Sequence, residues 1–212
     1  MKTISYSITC YNEIVEMSRL LKIICDYKWD VDEIVILIDD TNEVPEELLY
    51  VIDEYSKDLD NNISVYSHKL NKNFGEHKNY LNQQCKNQYI FNVDADEQIS
   101  EILINNIHEI LDANSDVDLF RVPRVNTVEN IMQEHINKWG WKVNSDGWLN
   151  WPDYQNRIFR NTPEIHWVYP VHEIITGHKT IVNLPEEEAY CLYHHKTIKK
   201  QVQQNKFYSK IN

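Results

Sequence analysis

Glycine is scarce, with 4 residues in 212. A P-loop and a dinucleotide fingerprint both need glycines at close spacing, so neither phosphate cradle is available. The 4 cysteines, Cys10, Cys25, Cys85 and Cys191, include no C-x-x-C pair. They read as reduced thiols, mostly buried, in a chain whose first residues lack the apolar core of a signal peptide. No apolar run approaches the roughly 20 residues of a membrane span. Basic residues are outnumbered, 21 against 33 acidic, for a net charge of −12. That balance argues against a phosphate-tracking surface, and duplex nucleic acid is not an expected partner. A polyanionic ligand would need a metal or a few local cations. What remains, 42% hydrophobic and 25% charged residues, suits one globular cytoplasmic domain over residues 1–212.

The order of patterns is that of an α/β chain. Ile4 to Thr9 alternates and is β-branched, predicting a strand; Ile14, Met17, Leu20, Leu21, Ile24 and Cys25 then recur at helical spacing. Glu33 to Ile38 is continuously apolar after its first residue, as in a strand covered on both faces, and it ends in Asp39-Asp40. A helix opening at Pro45, a strand over 63–67, a helix over 76–85 and a strand from Gln88 follow. This alternation predicts a mainly parallel sheet with helices on both faces. A helix over 98–112 and a strand over 119–122 continue it. From Pro123 the helices shorten and tryptophans gather, so the domain divides into halves 1–122 and 123–212. Segments 157–160 and 165–171 are expected to form a mixed or antiparallel edge.

The segment that organises these patterns is Gln88 to Glu97, an apolar strand running into Asp94-Ala95-Asp96. Two carboxylates at a strand end, where open α/β sheets bind ligands, are costly without a positive charge between them. A divalent cation shared with a substrate phosphate would supply it. An acidic turn capping the next helix is the plainer alternative. Asp39 and Asp40 carry the same two readings. Arg157 and Arg160 read equally well as a solvated strand face.

Several of these stretches resemble family 2 glycosyltransferases of the GT-A fold. Ser7 to Glu13 is similar to the family's opening strand and Tyr-Asn-Glu turn, and Ile36 to Thr41 to its Val-Asp-Asp-x-Ser strand end, with Thr-Asn in place of Gly-Ser. Asn73 to Asn79 resembles a segment that commonly carries Arg where Lys78 stands. Asn92 to Glu97 matches the Asp-Ala-Asp-Glu form of the DxD motif. Asp153 to Arg160, Tyr169 to Glu173 and Tyr193 to His195 resemble the subgroup containing lipopolysaccharide-core glucosyltransferases. Together these stretches span nearly the whole chain.

The resemblance implies an inverting, metal-dependent hexosyltransferase using a UDP-sugar, with glucose the sugar of the subgroup. It implies Mn²⁺ or Mg²⁺ held by Asp96, with Asp94 contacting the ribose or orienting the metal, and His194 as a further ligand with His195 the alternative. Asp39 or Asp40 would accept the uracil imide N–H. Thr9, Tyr11 and Glu13 would line the base and ribose, Ala95 lies within the donor-binding motif, and Lys78 would face the donor phosphates or sugar. Inversion needs a base on the far side of the sugar; Glu173 is the first candidate and Asp153 the second. The acceptor, whether a glycan, a lipid-linked species or a protein, is not named by these residues. A lysine-bearing tail (Lys199, Lys200, Lys206, Lys210) suits either a membrane surface or a solvated helix. A catalytically silent sugar-binding scaffold and a sugar-phosphate nucleotidyltransferase are the competing readings. The latter lacks its glycine-rich basic loop here.

Overall fold

The computed structural model describes residues 1–208. Lys210, part of the expected lysine tail, lies outside the described residues. In chain order the elements are β1 (Ile4–Cys10), α1 (Ile14–Tyr27), β2 (Glu33–Ile38), α2 (Glu46–Ser56), β3 (Ile63–Ser67), α3 (Phe74–Asn82) and β4 (Tyr89–Asp94). They continue with β5 (Glu97–Ile99), α4 (Glu101–Ala113), β6 (Leu119–Val122), β7 (Arg124–Glu129), α5 (Gln133–Trp139) and β8 (Gln155–Arg160). The last are β9 (His166–Val168), β10 (Ile174–Thr176), β11 (Ile181–Asn183), β12 (Leu192–Thr197) and α6 (Ile198–Tyr208).

The central sheet has the order β3-β2-β1-β4-β8-β6-β11. β1 to β4 are mutually parallel, and β8 is the antiparallel insert between β4 and β6. All six residues of β2 are buried, as its apolar run requires of a strand covered on both faces. On α1 the spacing of Met17, Leu20, Leu21 and Ile24 brings all four into the core, a contribution of roughly 2 kcal/mol per side chain. A second sheet, β5-β12-β7, and a hairpin, β9-β10, carry much of the later sequence.

Three expectations need correction. The helix expected from residue 98 begins at Glu101, because Glu97–Ile99 pairs with β12 instead and Ser100 caps the helix by accepting from Leu103 N–H. α3 starts at Phe74 and ends at Asn82 rather than spanning 76–85; the Asn73 side chain caps it through Glu76 N–H. β8 is not an edge. It lies inside the main sheet with adjacent Ile158 and Phe159 both in the core, and a short apolar pair flanked by arginines does not by itself distinguish the two positions.

At the N-terminal ends of β1 and β2, His108 and Asp32 form a buried pair at 2.9 Å. His108 Nδ1 faces Lys2 O at 2.9 Å, and Asp32 Oδ1 accepts from Ile4 N–H. With an acceptor at each ring nitrogen, the geometry selects the imidazolium. Burial alone lowers the His108 pKa, but the hydrogen bond and charge of Asp32 outweigh it and the net shift is upward. A raised folded-state pKa stabilises fully below the unfolded value of about 6.5, and that stability is lost as pH rises through the folded value. The Tm deficit of His108→Gln should therefore be larger at about pH 6 than at about pH 9. A deficit independent of pH would assign it to packing against Trp29 (4.1 Å between ring centroids).

Candidate active site

β1 and β4 run in register with Thr9 opposite Asp94, and β2 brings Ile38 level with Cys10. Three parallel strands thus end at one edge, where Asp39 N–H donates to Cys10 O at 2.8 Å. Thr9 Oγ1 donates to Asp94 Oδ1 (3.2 Å), and Glu13 accepts from the Tyr11 and Asn12 N–H groups, fixing the turn after β1. Tyr11 Oη accepts from Asn42. Asp39 Oδ1 is occupied by Leu70 N–H and by the N–H and hydroxyl of Thr41. Asp40 Oδ1, in contrast, is buried with no hydrogen-bond partner among the described residues.

Behind this edge lies an unbroken chain of alternating charge: Glu173, Lys78, Asp94, Arg157, Glu97, Arg124, Asp153. Lys78 Nζ lies 2.8 Å from Glu173 Oε1 and 3.2 Å from Asp94 Oδ1. One Arg157 nitrogen donates to both Asp94 and Glu97 at 2.6 Å. Arg124 continues from Glu97 (2.7 Å) to Asp153 (2.7 Å). Lys78 reaches inward because α3 turns its Lys78 and Leu81 face to the core, and its ammonium also sits 4.7 Å over the Trp167 ring. Burial would raise the Asp94 pKa, but Arg157 and Lys78 hold it well below the usual carboxylate range. The loop carrying Glu173 approaches α3 closely. A Cβ on Gly75 would lie 2.6 Å from Tyr169 O, and Phe74 N–H donates to Pro170 O at 2.9 Å.

Asp153 is saturated. Arg124 and Asn126 donate to Oδ2 and Gln155 to Oδ1, so that despite burial its pKa is lowered. Asn126 links this network to the second sheet. Its amide nitrogen must face the Asp153 carboxylate, which leaves Oδ1 to accept from His194 Nδ1 at 2.8 Å. His194 Nε2 then points to Asp96 Oδ2 at 3.3 Å. Burial would raise the Asp96 pKa, but the hydrogen bond and charge of His194, with Lys196, carry it far below the ordinary carboxylate value.

The structure therefore brings Asp96 and His194 together, whereas Asp94 is engaged by Lys78 and Arg157. Among the described residues no group of three or more His, Cys, Asp or Glu side chains is set to hold a metal ion. Two protein donors nevertheless fit an ion that takes its other ligands from a substrate phosphate and water. The carboxylate of Asp96 and an imidazole whose other nitrogen is pinned by Asn126 make a suitable donor pair for Mn²⁺. His195 turns to Thr127 instead. Ala95 is buried, its N–H donating to Thr9 O at 3.1 Å.

Sequence reasoning gave no role to Glu97, Arg124, Asn126 or Lys196. It treated Arg157 as equally suited to a solvated face, yet that side chain is 4% exposed. The signal was the clustering of acids at strand ends, which demands counter-ions, together with arginines set among apolar strand residues.

A model of the family described as glycosyl transferase family 2 matches residues 5–182. No curated protein sequence matches the chain. Among solved structures, S. aureus TarS residues 1–349 superimposes with a TM-score of 0.62 at 15% identity, covering 92% of this chain and 60% of TarS 1–349. The same protein in complex with UDP gives 0.63 at 15% identity, with the same coverage. Its complex with UDP-GlcNAc gives 0.63 at 15% identity, covering 92% of this chain and 59% of the other. At that identity the likeness is one of fold, and it bears out the expected GT-A architecture. The chain spans about 60% of the length of TarS 1–349.

Proposed function

The chain belongs to glycosyl transferase family 2, and from that premise we propose that it transfers a hexose from a UDP-sugar to an acceptor hydroxyl with inversion at the anomeric carbon. The observation that carries the reading is the approach of Glu173 and Asp94 to one ammonium, Lys78, at the strand-end edge. In this reading Glu173 would be the carboxylate base, held beside the donor-binding strand ends through Lys78. Glucose as the sugar rests on the resemblance of Asp153–Arg160 and Tyr169–Glu173 to lipopolysaccharide-core enzymes. The acceptor is a glycan, a lipid-linked species or a protein.

Asp40, with its unpartnered buried oxygen, is the better acceptor for the uracil imide N–H, since Asp39 Oδ1 is occupied. The TarS complexes with UDP and UDP-GlcNAc support uridine as the nucleoside. Thr9, Tyr11 and Glu13 would line the base and ribose. Asp96 and His194 would hold Mn²⁺ or Mg²⁺, which when bound supplies charge neutralisation to the departing diphosphate. Lys78 adds a point charge on the donor side. Glu173 removes the proton from the acceptor hydroxyl as its oxygen attacks the anomeric carbon. The bond from that carbon to the diphosphate oxygen breaks, and UDP leaves with the electron pair.

A UDP-sugar panel with Mn²⁺, assayed for sugar release with and without acceptor and paired with UDP calorimetry, tests this reading. Asp96→Asn should weaken UDP binding in Mn²⁺ by at least about tenfold, or roughly 1.4 kcal/mol. Unchanged affinity would remove Asp96 from the metal site.

A further inference from the structure

Lys196 stands two residues beyond His194 on β12, so strand alternation turns both side chains to the same face. Its side chain is 7% exposed. Nζ lies 2.8 Å from Gln204 Oε1 on α6 and 3.4 Å from Asp96 Oδ2. That is the same oxygen His194 Nε2 faces at 3.3 Å. A buried ammonium needs a partner, and here the charged partner is the carboxylate on which the metal reading depends. Lys196 also borders a cleft of about 330 Å³ lined by Glu129 and by Glu16, the latter already paired with Lys200 at 2.6 Å. An ammonium displaced from Asp96 therefore has the Glu129 side chain on the wall of that cleft.

We propose that Lys196 is a resident competitor of the divalent cation at Asp96, weakening metal binding by the free protein and tying it to arrival of the donor diphosphate. The inference rests on the reading that Asp96 and His194 hold the metal. A divalent ion on Asp96 sets like charges side by side in a site too enclosed for full solvent screening. The diphosphate brings negative charge that offsets the repulsion and draws the ammonium off the carboxylate. By linkage, the metal then strengthens UDP binding by the same factor as UDP strengthens metal binding.

The test is a Mn²⁺ titration of the folded chain, followed by the paramagnetic resonance of the free ion, with and without UDP. Lys196→Met keeps the apolar stem and removes the charge. It should tighten Mn²⁺ binding without nucleotide on the order of tenfold and shrink the UDP–Mn²⁺ coupling by a similar factor. Lys196→Gln, neutral but able to hydrogen-bond Gln204, should do the same and covers the case in which the methionine variant fails to fold. Lys196→Arg, which keeps the charge, should stay near the wild-type affinity. Asp96→Asn separates the two layers of the argument. If it abolishes Mn²⁺ binding while neither neutral variant tightens it, the competitor role is overturned and the metal site stands. If it leaves Mn²⁺ binding intact, the metal reading itself falls.

Discussion

Arg157→Leu is expected to destabilise the fold by about 3–5 kcal/mol, the usual cost of removing one partner from a buried ion pair. Its neighbour three strand positions on, Arg160, should cost only about 1 kcal/mol when changed the same way. The difference is one of surroundings. Arg160 pairs with Asp118 at 3.0 Å with 27% of its side chain exposed, so water takes over part of the lost interaction. Arg157 is 4% exposed and lies between Asp94 and Glu97, the latter fully buried. Without the guanidinium, Glu97 keeps Arg124 and Asp94 keeps Lys78, but two carboxylates face each other across the space it filled. In a chain of this length the loss corresponds to a fall in Tm of roughly 10 °C. The effect should also move with pH. Asp94 and Asp153 have depressed folded-state pKa values. The stability they contribute is present above the unfolded carboxylate value of about 4 and lost as pH falls through the folded values. Arg157→Leu removes the largest favourable charge on Asp94, so its acid unfolding should begin at a higher pH than in the wild type. Urea unfolding of the two leucine variants decides the matter. Equal losses would mean that the alternating charge chain contributes no more than a surface pair.

The two arginines also mark where reading the sequence stops. The parallel core was legible because its strands are continuous apolar runs and its helices repeat at helical spacing, and both patterns are set by burial on known faces. The strand-end motifs were legible because acids crowded at a strand terminus are chemically unusual. β8 was harder. Arg157-Ile158-Phe159-Arg160 is flanked by charges like an exposed edge, and only the topology shows that Arg157 turns to the acids while Arg160 turns toward Asp118. Glu97 reads as the last letter of a motif, although it opens β5 opposite His194 and pairs, fully buried, with Arg124 and Arg157. Long-range partners such as Asn126 and His194, 68 positions apart, leave no local trace. β7 and β12 must pair before the imidazole has its second hydrogen bond.

Glu173→Gln should lower kcat by about 10²- to 10⁴-fold, the range a general base contributes, while UDP affinity changes little. The amide is nearly the same size and its oxygen can still accept from Lys78, so the loop should stay docked on α3 and the loss should appear without a matching fall in Tm. Asp153→Asn should give the opposite pattern. Its carboxylate already accepts from Arg124, Asn126 and Gln155 and is held at low basicity, which suits a structural anchor and not a proton acceptor. Substitution there should cost stability and, through Asn126, disturb His194. Activity would fall along with metal affinity. The two candidate bases sit at opposite ends of one charge chain, so either could perturb the other through Lys78, Arg157 and Arg124. Joint measurement of kcat, UDP affinity and Tm resolves that coupling. A Glu173→Gln enzyme within tenfold of wild-type kcat, beside a well-folded but inactive Asp153→Asn, would move the base to Asp153 and leave Glu173 as the counter-ion that holds Lys78 in place.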